Sequence, residues 1–286
     1  PLLLYWLLER AGLDVTGKVY LVVVIALAIT AFLIWVECFA AFRPRRPPDD
    51  PVESYPPASA IIPAYLPNEA DTVVETVEAV LAQDYDDLQV ILAYNTPHDL
   101  PVEDELREIA ERDPRFTALR VHGSVSKAQN VNVAIASVTG EFVAIFDADH
   151  HPAPGAFKRA WRWLANGADV VQGHCVVRNG TDGNLQRLVA AEFEAMYGVA
   201  HPGRARLHGF GIFGGSNGFW RTSVLRLTRL RSFMLTEDID STMRVVGAGG
   251  TIVSDPGLLS TELAPGNWSA LWGQRLRWAQ GWSQVA

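Results

Sequence analysis

Two aspartates stand one residue apart in the segment FDADHHP, directly after the apolar run EFVAIF. If Asp147 and Asp149 face one point they repel each other, and a divalent cation removes that cost. Hard oxygen ligands of this kind suit Mg²⁺ or Mn²⁺. An ordinary acidic turn is the alternative. His150 and His151 follow, but adjacent side chains point apart and no second cluster of His or Cys stands nearby in the sequence, which disfavours zinc.

A second acidic group lies in the segment MLTEDIDSTMRVVGAGG. Thr236, Glu237 and Asp238 could cap a helix, because acidic residues in the first turn favour the helix dipole. One of these carboxylates could instead be a general base, whereas Asp240 is expected on the face of the helix. The preceding stretch GFGIFGGSNGFWR is dense in glycine, which either permits close approach of the backbone to a ligand or forms a plain loop.

Four tryptophans occur within 15 residues near the end of the chain, in NWSALWGQRLRWAQGW. Trp268, Trp272 and Leu276 are spaced to lie on one face of a helix. With Arg275 and Arg277, such a helix suits a membrane interface. Tryptophan also stacks on sugar rings, and the arginines could neutralise phosphate.

The motifs above lie between segments that are typical of strands and of helices. Strand and helix segments alternate four times along the chain. SAIIPAY, LQVILAY, FTALRV and EFVAIF are typical of buried strands. NEADTVVETVEAVLA and VEDELREIAERD have the period of amphipathic helices, and KAQNVNVAIASVTG is a helix expected to end at Gly140. Further along, DVVQGHCVV is predicted to be a strand and NLQRLVAAEFEAMYGVA a helix.

This alternation predicts an α/β fold with a mostly parallel sheet and helices on both faces. In such sheets ligands bind beyond the carboxyl ends of the strands. The segments PAY, AYN and DADHH all fall at those ends, so three loops that are distant in sequence are expected to form one cleft.

Residues 19–42 form an apolar run of 24 residues with a single charge, Glu37. At about 1.5 Å per residue, a helix of this length crosses a hydrocarbon core of about 30 Å. A signal peptide and a buried core helix are the alternatives, but the run is too long for the first. Arg43, Arg45 and Arg46 follow it and place that end in the cytoplasm.

The chain accordingly divides into five parts. Residues 1–18 are an interfacial or truncated membrane segment, and the lack of a starting methionine indicates a fragment. The transmembrane helix of residues 19–42 precedes a proline-rich linker over residues 43–57. A cytoplasmic domain is expected over residues 58–266, followed by an amphipathic interfacial helix over residues 267–286.

The composition limits the classes of binding partner and indicates the cellular compartment. The 286 residues carry a net charge of −8, which argues against non-specific binding to nucleic acid, since that needs a basic face. The two cysteines, Cys38 and Cys175, are widely separated, so no disulfide framework is expected and a reducing compartment is indicated.

Together these motifs resemble glycosyltransferase family two, in particular its membrane-embedded processive synthases of cellulose, chitin, hyaluronan and poly-N-acetylglucosamine. The resemblance covers residues 58–286 and the preceding span. It rests on IIPAY, KAQN, DAD with the following histidine, FGGSN, TED and Q-x-x-R-W, in this order. The family implies a GT-A-like nucleotide-sugar fold and an inverting single displacement. The implied reaction transfers glucose or N-acetylglucosamine from a UDP-sugar to a growing β-linked polysaccharide.

By this resemblance, Asp147 and Asp149 surround the uridine diphosphate and its Mg²⁺ or Mn²⁺. Asp238 is the implied general base, in a catalytic motif with Glu237 and Thr236. The acceptor side is the sugar platform Trp278 with three loop residues, Gly215, Ser216 and Asn217. The remaining donor contacts that the family implies are Pro63, Tyr65, Glu69, Asn95, Lys127, Gln274 and Arg277.

One departure from the family pattern concerns the nucleotide base. The family usually carries an Asp-Asp pair after the second strand, whereas Tyr94 and Asn95 stand there in this chain and Asp99 comes later. Asn95 can still hydrogen-bond an N–H of the base, but the charge is gone.

Two other functions stay open beside the processive synthase. One is single transfer of a sugar to a lipid or short acceptor, and the other is a catalytically silent scaffold, which the intact DAD, TED and Q-x-x-R-W motifs disfavour. The synthase interpretation implies a multi-pass protein of the plasma membrane with a cytoplasmic catalytic domain. Its partners would be a nucleotide-sugar donor, a glycan acceptor, the lipid bilayer and accessory secretion subunits, and no nucleic acid.

Overall fold

The computed structural model describes residues 2–13, 15–49 and 55–286, which contain one eight-stranded mixed sheet. Its strands are, in chain order, β1 Ala58–Tyr65, β2 Leu88–Asn95, β3 Phe116–Arg120, β4 Phe142–Ile145, β5 His151–Pro152, β6 Val170–Val177, β7 Gly218–Arg221 and β8 Ile252–Glu262. Across the sheet they follow the order β3-β2-β1-β4-β7-β6-β8-β5.

Helices cover both faces of this sheet. In chain order, α1 to α12 are Leu2–Arg10, Thr16–Ala41, Leu66–Glu69, Val73–Leu81, Val102–Arg112, Lys127–Ala134, Ala156–Ala165, Asn184–Phe193, His201–His208, Thr222–Thr228, Glu237–Gly247 and Trp268–Val285. A 3₁₀ turn, Ile135–Ser137, follows α6, and a π-helix, Glu194–Ala200, joins α8 to α9.

The four strands predicted in the first half are confirmed, and their pairing with one another is parallel. β1 pairs with β2 and β4, and β2 pairs with β3. Alternate residues enter two different cores: Ile62 and Leu92 lie beneath α4, α5 and α7, while Ile61 and Ile91 lie beneath α6, α10 and α11. Because both faces are buried, these strands are continuous apolar runs.

The antiparallel pairings lie in the second half of the sheet, so the sheet is mixed although most of its strand pairings are parallel, as predicted. β7 runs antiparallel between β4 and β6, and β5 runs antiparallel to β8. β6 and β8 are parallel, with a shift of register between Gln172 and His174. β7 comes directly after the glycine-rich stretch, and β8 contains a Pro-Gly pair of the kind that marks turns.

Two helices differ from their predicted bounds. α6 ends at Ala134 and not at Gly140. Gly140 instead permits close approach to β1, because an ideal Cβ there would lie 2.5 Å from the backbone nitrogen of Ser59. The helix predicted over residues 68–82 begins earlier and is split into α3 and α4 by a turn, in which Thr72 Oγ1 donates to the Glu69 carbonyl oxygen at 3.2 Å.

Among the described residues, α2 is the one helix long and apolar enough to cross a membrane. Its large apolar side chains are exposed over most of its length. Its last turns pack against α9, where an ideal Cβ at Gly203 would lie 2.3 Å from the Glu37 carbonyl oxygen. The Glu37 carboxylate accepts a hydrogen bond from Arg204 Nε at 3.0 Å. The single charge of the apolar run is therefore paired with the globular part of the chain.

The predicted linker of residues 43–57 is described in part. Residues 50–54 lie outside the described residues, as do residues 1 and 14 of the first predicted segment. Arg162 of α7 donates to the Pro48 carbonyl oxygen at 2.6 Å, which fastens the linker to the domain.

α12 carries apolar side chains on two sides. Trp268, Trp272 and Leu276 are exposed, whereas Leu271 and Trp278 pack against a small apolar cluster formed by β6 and α8. The helix begins after Asn267, whose side chain accepts a hydrogen bond from the Ala270 amide at 2.9 Å.

Candidate active site

Polar residues from three strand ends converge at one edge of the sheet, as predicted. Tyr65 ends β1 and lies opposite Asn95, which ends β2, while Asp147 follows β4. The strands run parallel, so their carboxyl ends share one edge, where ligands bind in open α/β sheets.

The DAD segment is fixed through hydrogen bonds from three sequence-distant regions. The Asp147 amide donates to Ser216 Oγ at 3.0 Å. Asp149 Oδ2 accepts a hydrogen bond from the Leu263 amide at 3.0 Å, and the Asp149 carbonyl oxygen accepts one from Arg178. Asp147 and Asp149 remain partly exposed, so their free oxygens can reach a ligand.

Lys127, the first residue of α6, connects the DAD segment to the glycine-rich loop. Its ammonium forms an ion pair with Asp147 and donates to the Gly215 carbonyl oxygen at 2.8 Å. Burial lowers the pKa of Lys127, but the charges of Asp147, Glu237 and Asp238 outweigh it, and the net pKa is raised. Lys127 is therefore a fixed positive charge between the two acidic motifs.

Asp238 lies beside Gly215, on the same side of that residue as the Lys127 ammonium. An ideal Cβ at Gly215 would lie 3.0 Å from Asp238 Oδ2 and 3.5 Å from Lys127 Nζ, and Gly215 has φ +92°. Asp238 Oδ1 accepts a hydrogen bond from the Ile239 amide at 2.8 Å. Burial, and next the charge of Glu237, raises the pKa of Asp238 to about 6. A carboxylate with this pKa can accept a proton near neutral pH.

Glu69 adds a third carboxyl group to the DAD corner. Its Oε2 accepts a hydrogen bond from the Tyr65 amide at 2.6 Å. Burial raises the pKa of Glu69 to about 7, and the charges of Asp147 and Asp149 also raise it. Three carboxyl groups thus gather at this corner, and the Lys127 ammonium pairs with Asp147 among them. This excess of hard oxygen donors fits Mg²⁺ or Mn²⁺.

Thr236 was expected to cap α11 and does not. It occupies the position before the helix, but its side chain makes no capping hydrogen bond, and its buried Oγ1 has no partner among the described residues. Instead Gly281 of α12 lies against it. Asp240, expected on the face of the helix, lies in the first turn of α11, where it is buried and paired with Arg231 at 3.2 Å and Arg244 at 2.8 Å.

The Q-x-x-R-W residues lie along α12. Gln274 Oε1 accepts a hydrogen bond from Arg275 Nη1 at 2.8 Å. Arg277 Nη1 donates to the Leu235 carbonyl oxygen at 3.3 Å, directly before the TED segment. The Arg275 guanidinium covers one face of the Trp278 ring, 4.1 Å from its centroid. No hydrogen bond joins Gln274 or Arg277 to the DAD aspartates in the described part of the chain.

The geometry does not support direct ligand contacts for three residues that the resemblance implied. Asn217 is fully buried, and its Nδ2 donates to the carbonyl oxygens of Leu258 at 2.9 Å and His174 at 3.2 Å. It therefore ties the residue before β7 to β6 and β8, and its side-chain nitrogen faces the sheet. Pro63 is buried inside β1. Ser216 is also buried, and it acts on the site through the Asp147 amide.

The two residues in place of the usual Asp-Asp pair point in different directions. Tyr94 is buried, and its hydroxyl donates to Glu103 Oε1 at 2.8 Å, away from the cleft. Asn95 donates to the Ser124 carbonyl oxygen at 3.1 Å and accepts from Asn130 at 2.8 Å. One N–H of Asn95 and one lone pair of its Oδ1 are therefore left to meet a base.

Sequence reasoning missed the residues that support the DAD corner from behind. His150 is buried between Glu262, 2.7 Å from its Nε2, and Ser260, 3.1 Å from its Nδ1. With Cys175 these groups bring ligand-type atoms within 4.8 Å of one another, although the histidine and glutamate already satisfy each other. Glu262 and Arg178 lie more than 25 residues from the DAD segment in the sequence. No local sequence pattern could therefore have predicted that they contact it.

The chain matches the glycosyltransferase-like family 2 over residues 56–281. It is 26% identical over 238 residues to the probable glycosyltransferase YdaM of Bacillus subtilis, covering 80% of this chain and 56% of that protein. It is also 26% identical over 226 residues to the poly-beta-1,6-N-acetyl-D-glucosamine synthase of Staphylococcus epidermidis, covering 76% and 53%. The chain spans about half the length of these curated relatives.

A solved structure supports the fold independently. The mannosyltransferase PcManGT of Pyrobaculum calidifontis, in complex with GDP-Man and Mn²⁺, matches with a TM-score of 0.68 and 23% identity, over 92% of this chain and 74% of that chain. The fold is accordingly GT-A-like, with the mixed sheet described above. With a family match that spans the whole sheet, the chain belongs to glycosyltransferase-like family 2.

Proposed function

We propose that this chain is the catalytic part of a membrane-bound, inverting glycosyltransferase that moves a hexose from a UDP-sugar to a growing β-linked polysaccharide. The observation that carries the proposal is the convergence of Asp147, Lys127, Gly215 and Asp238 at the ligand-binding edge of the sheet. The Lys127 ammonium lies between Asp147, a carboxylate that can hold a metal ion, and Asp238, a carboxylate whose pKa is raised. Sugar transfer uses a group of the first kind at the donor diphosphate and one of the second kind at the acceptor hydroxyl.

The donor end is the DAD corner. Asp147 and Asp149 would hold Mg²⁺ or Mn²⁺, with Glu69 beside them. When bound, such a cation offsets the negative charge that the diphosphate leaving group gains. Lys127 would contact the diphosphate, because its ammonium is fixed next to Asp147 and stays charged. Asn95 would meet the nucleotide base through its side-chain amide, with its Oδ1 accepting from an N–H of the base.

The acceptor end is the first turn of α11. Asp238 would take the proton from the attacking hydroxyl, which is a poor nucleophile without a base. Its pKa of about 6 leaves it largely ionised at neutral pH while keeping it basic enough to accept a proton. The Gly215 backbone would line the space between donor and acceptor. Direct displacement needs no covalent intermediate on the chain.

The membrane side of the proposal rests on two helices. α2 would cross the bilayer with Arg43, Arg45 and Arg46 on the cytoplasmic side. α12 would lie at the interface, with Trp268 and Trp272 facing lipid. We assign residues 43–57 as linker and residues 58–266 as cytoplasmic domain, in a multi-pass protein of the plasma membrane served by accessory secretion subunits.

The second candidate is single transfer to a lipid or short acceptor. The observation that favours it is the Arg275 guanidinium over Trp278, which removes one face of the sugar platform. A ring with one face covered offers less area for a long polymer to stack on.

The test is to incubate the membrane-embedded protein with a panel of radiolabelled nucleotide sugars, with and without Mn²⁺, and to size the product on a gel. A ladder or long polymer from a UDP-hexose supports the synthase, and a single added sugar supports the second candidate. Consumption of no donor under any metal condition would overturn both. Asp238→Asn should bind donor normally and transfer nothing.

A further inference from the structure

Three residues of α12 face the segment that leads into the TED motif. Arg277, Gly281 and Gln284 stand four and then three residues apart, so they share one side of the helix. Opposite them lie Leu235 and Thr236, directly before α11.

Both backbone polar groups of Leu235 are bound by this side of α12. The Leu235 amide donates to Gln284 Oε1 at 2.9 Å, and the Leu235 carbonyl oxygen accepts from Arg277 at 3.3 Å. Leu235 belongs to no helix or strand, so these side chains replace the ladder hydrogen bonds that a regular element would supply.

Gly281 brings α12 into contact at the next residue. It is the buried residue of α12, and an ideal Cβ there would lie 2.3 Å from Thr236 Cγ2. Thr236 is 5% exposed and makes no side-chain capping bond to α11. The position of Thr236 is therefore set by packing against α12 and not by its own hydroxyl.

Three peptide units separate Leu235 from Asp238, and the Asp240 amide donates back to the Thr236 carbonyl oxygen at 3.2 Å to close the first turn of α11. A shift of Leu235 or Thr236 is thus carried to Asp238. We propose that Gln284 is a positioning residue, which holds the Leu235 amide so that Asp238 keeps its place beside Gly215 and Lys127. This inference rests on the proposed function, in which Asp238 is the base.

The test compares two substitutions at one position. Gln284→Met keeps the length of the side chain and removes the oxygen that accepts from Leu235, whereas Gln284→Glu keeps an oxygen. Gln280 lies one turn earlier on α12 and is exposed, so Gln280→Met and Gln280→Glu are the matched controls for helix packing and added charge. Each variant is measured in the membrane-embedded protein for backbone amide exchange over residues 231–241 and for kcat and donor KM.

We expect Gln284→Met to speed exchange at Leu235 and to lower kcat about tenfold with donor KM unchanged, since misplacing a base affects the chemical step. Gln284→Glu should restore both values, and the two Gln280 variants should match wild type. Unchanged exchange in Gln284→Met overturns the inference, as does faster exchange with an unaltered kcat, or an equal loss in Gln284→Met and Gln284→Glu. A wild-type protein that transfers no sugar would refute the proposed function instead, and the exchange rates would still decide whether Gln284 holds the segment.

Discussion

Lys127 and Asp238 lie against the same side of Gly215: an ideal Cβ at 215 would lie 3.5 Å from Lys127 Nζ and 3.0 Å from Asp238 Oδ2, so a methyl group there would displace the Asp238 carboxylate. The proposed donor and acceptor ends of the site therefore meet beside one glycine. The residue also has φ +92°, which side-chain-bearing residues rarely adopt.

Gly215→Ala should lower kcat about 100-fold, because displacing Asp238 or Lys127 by a fraction of an ångström misaligns the reacting groups. The matched control is Gly167→Ala, since Gly167 has φ +94° but an ideal Cβ there meets nothing within 4 Å. That variant should cost about 1–2 kcal/mol of unfolding free energy and leave kcat unchanged. Equal loss of activity in both variants would mean that backbone strain, and not crowding of Asp238, explains the effect.

The rate should depend on pH through Asp238. Burial and Glu237 raise the pKa of Asp238 to about 6, and the group must be ionised to accept a proton, so kcat should fall as the pH drops through about 6. Glu237→Gln removes a neighbouring negative charge and should move this acidic limb to lower pH. A kcat profile at saturating donor measures the shift. A limb that stays in place would show that another group limits the reaction.

Chelation should abolish transfer, and added Mn²⁺ or Mg²⁺ should restore it, if the carboxylates of the DAD corner hold a divalent cation. Asp149→Asn should weaken Mn²⁺ binding in the presence of UDP at least about tenfold, as measured by calorimetry. Asp84→Asn is the control, because Asp84 is an exposed carboxylate paired with Lys158 elsewhere on the surface. Undiminished Mn²⁺ affinity in Asp149→Asn would remove that residue from the metal site.

Asn217 should matter for stability and not for acceptor affinity. Asn217→Ala removes two buried hydrogen bonds, to Leu258 and His174, and should lower the unfolding free energy by about 1–3 kcal/mol. Asn166→Ala, at an exposed position, should change it by less than about 0.5 kcal/mol. Denaturant titration measures both. A stable Asn217→Ala protein with a raised acceptor KM would reinstate the acceptor role that the resemblance implied.

The parallel half of the sheet was predictable because strands buried on both faces are continuous apolar runs in the chain. The order of those runs is enough to place Tyr65, Asn95 and Asp147 at one edge of the sheet. Strands β7 and β8 were not predictable, because glycine and Pro-Gly in and beside them are signals of loops.

The site was predicted in part for a related reason. The chemistry of the short motifs follows from the types of their residues. Lys127, Asp147 and Asp238 could therefore be predicted as site residues from residue type and from the order of the motifs along the chain. Burial of Asn217 and the pairing of His150 with Glu262 depend on contacts between strands that lie far apart in the chain. The residues next to each of these positions in the chain do not indicate such contacts.

The contact between α2 and α9 has a consequence for how the site meets its acceptor. A domain on a flexible linker samples many orientations relative to the membrane. Here Gly203 packs on the Glu37 backbone, Arg204 binds the Glu37 side chain, and Arg162 holds the linker at Pro48. With α2 in a bilayer, as proposed, the cleft would keep one height and one tilt above the lipid surface. Asp238 would then face an acceptor that emerges from the membrane, and the domain would not have to rotate to reach it.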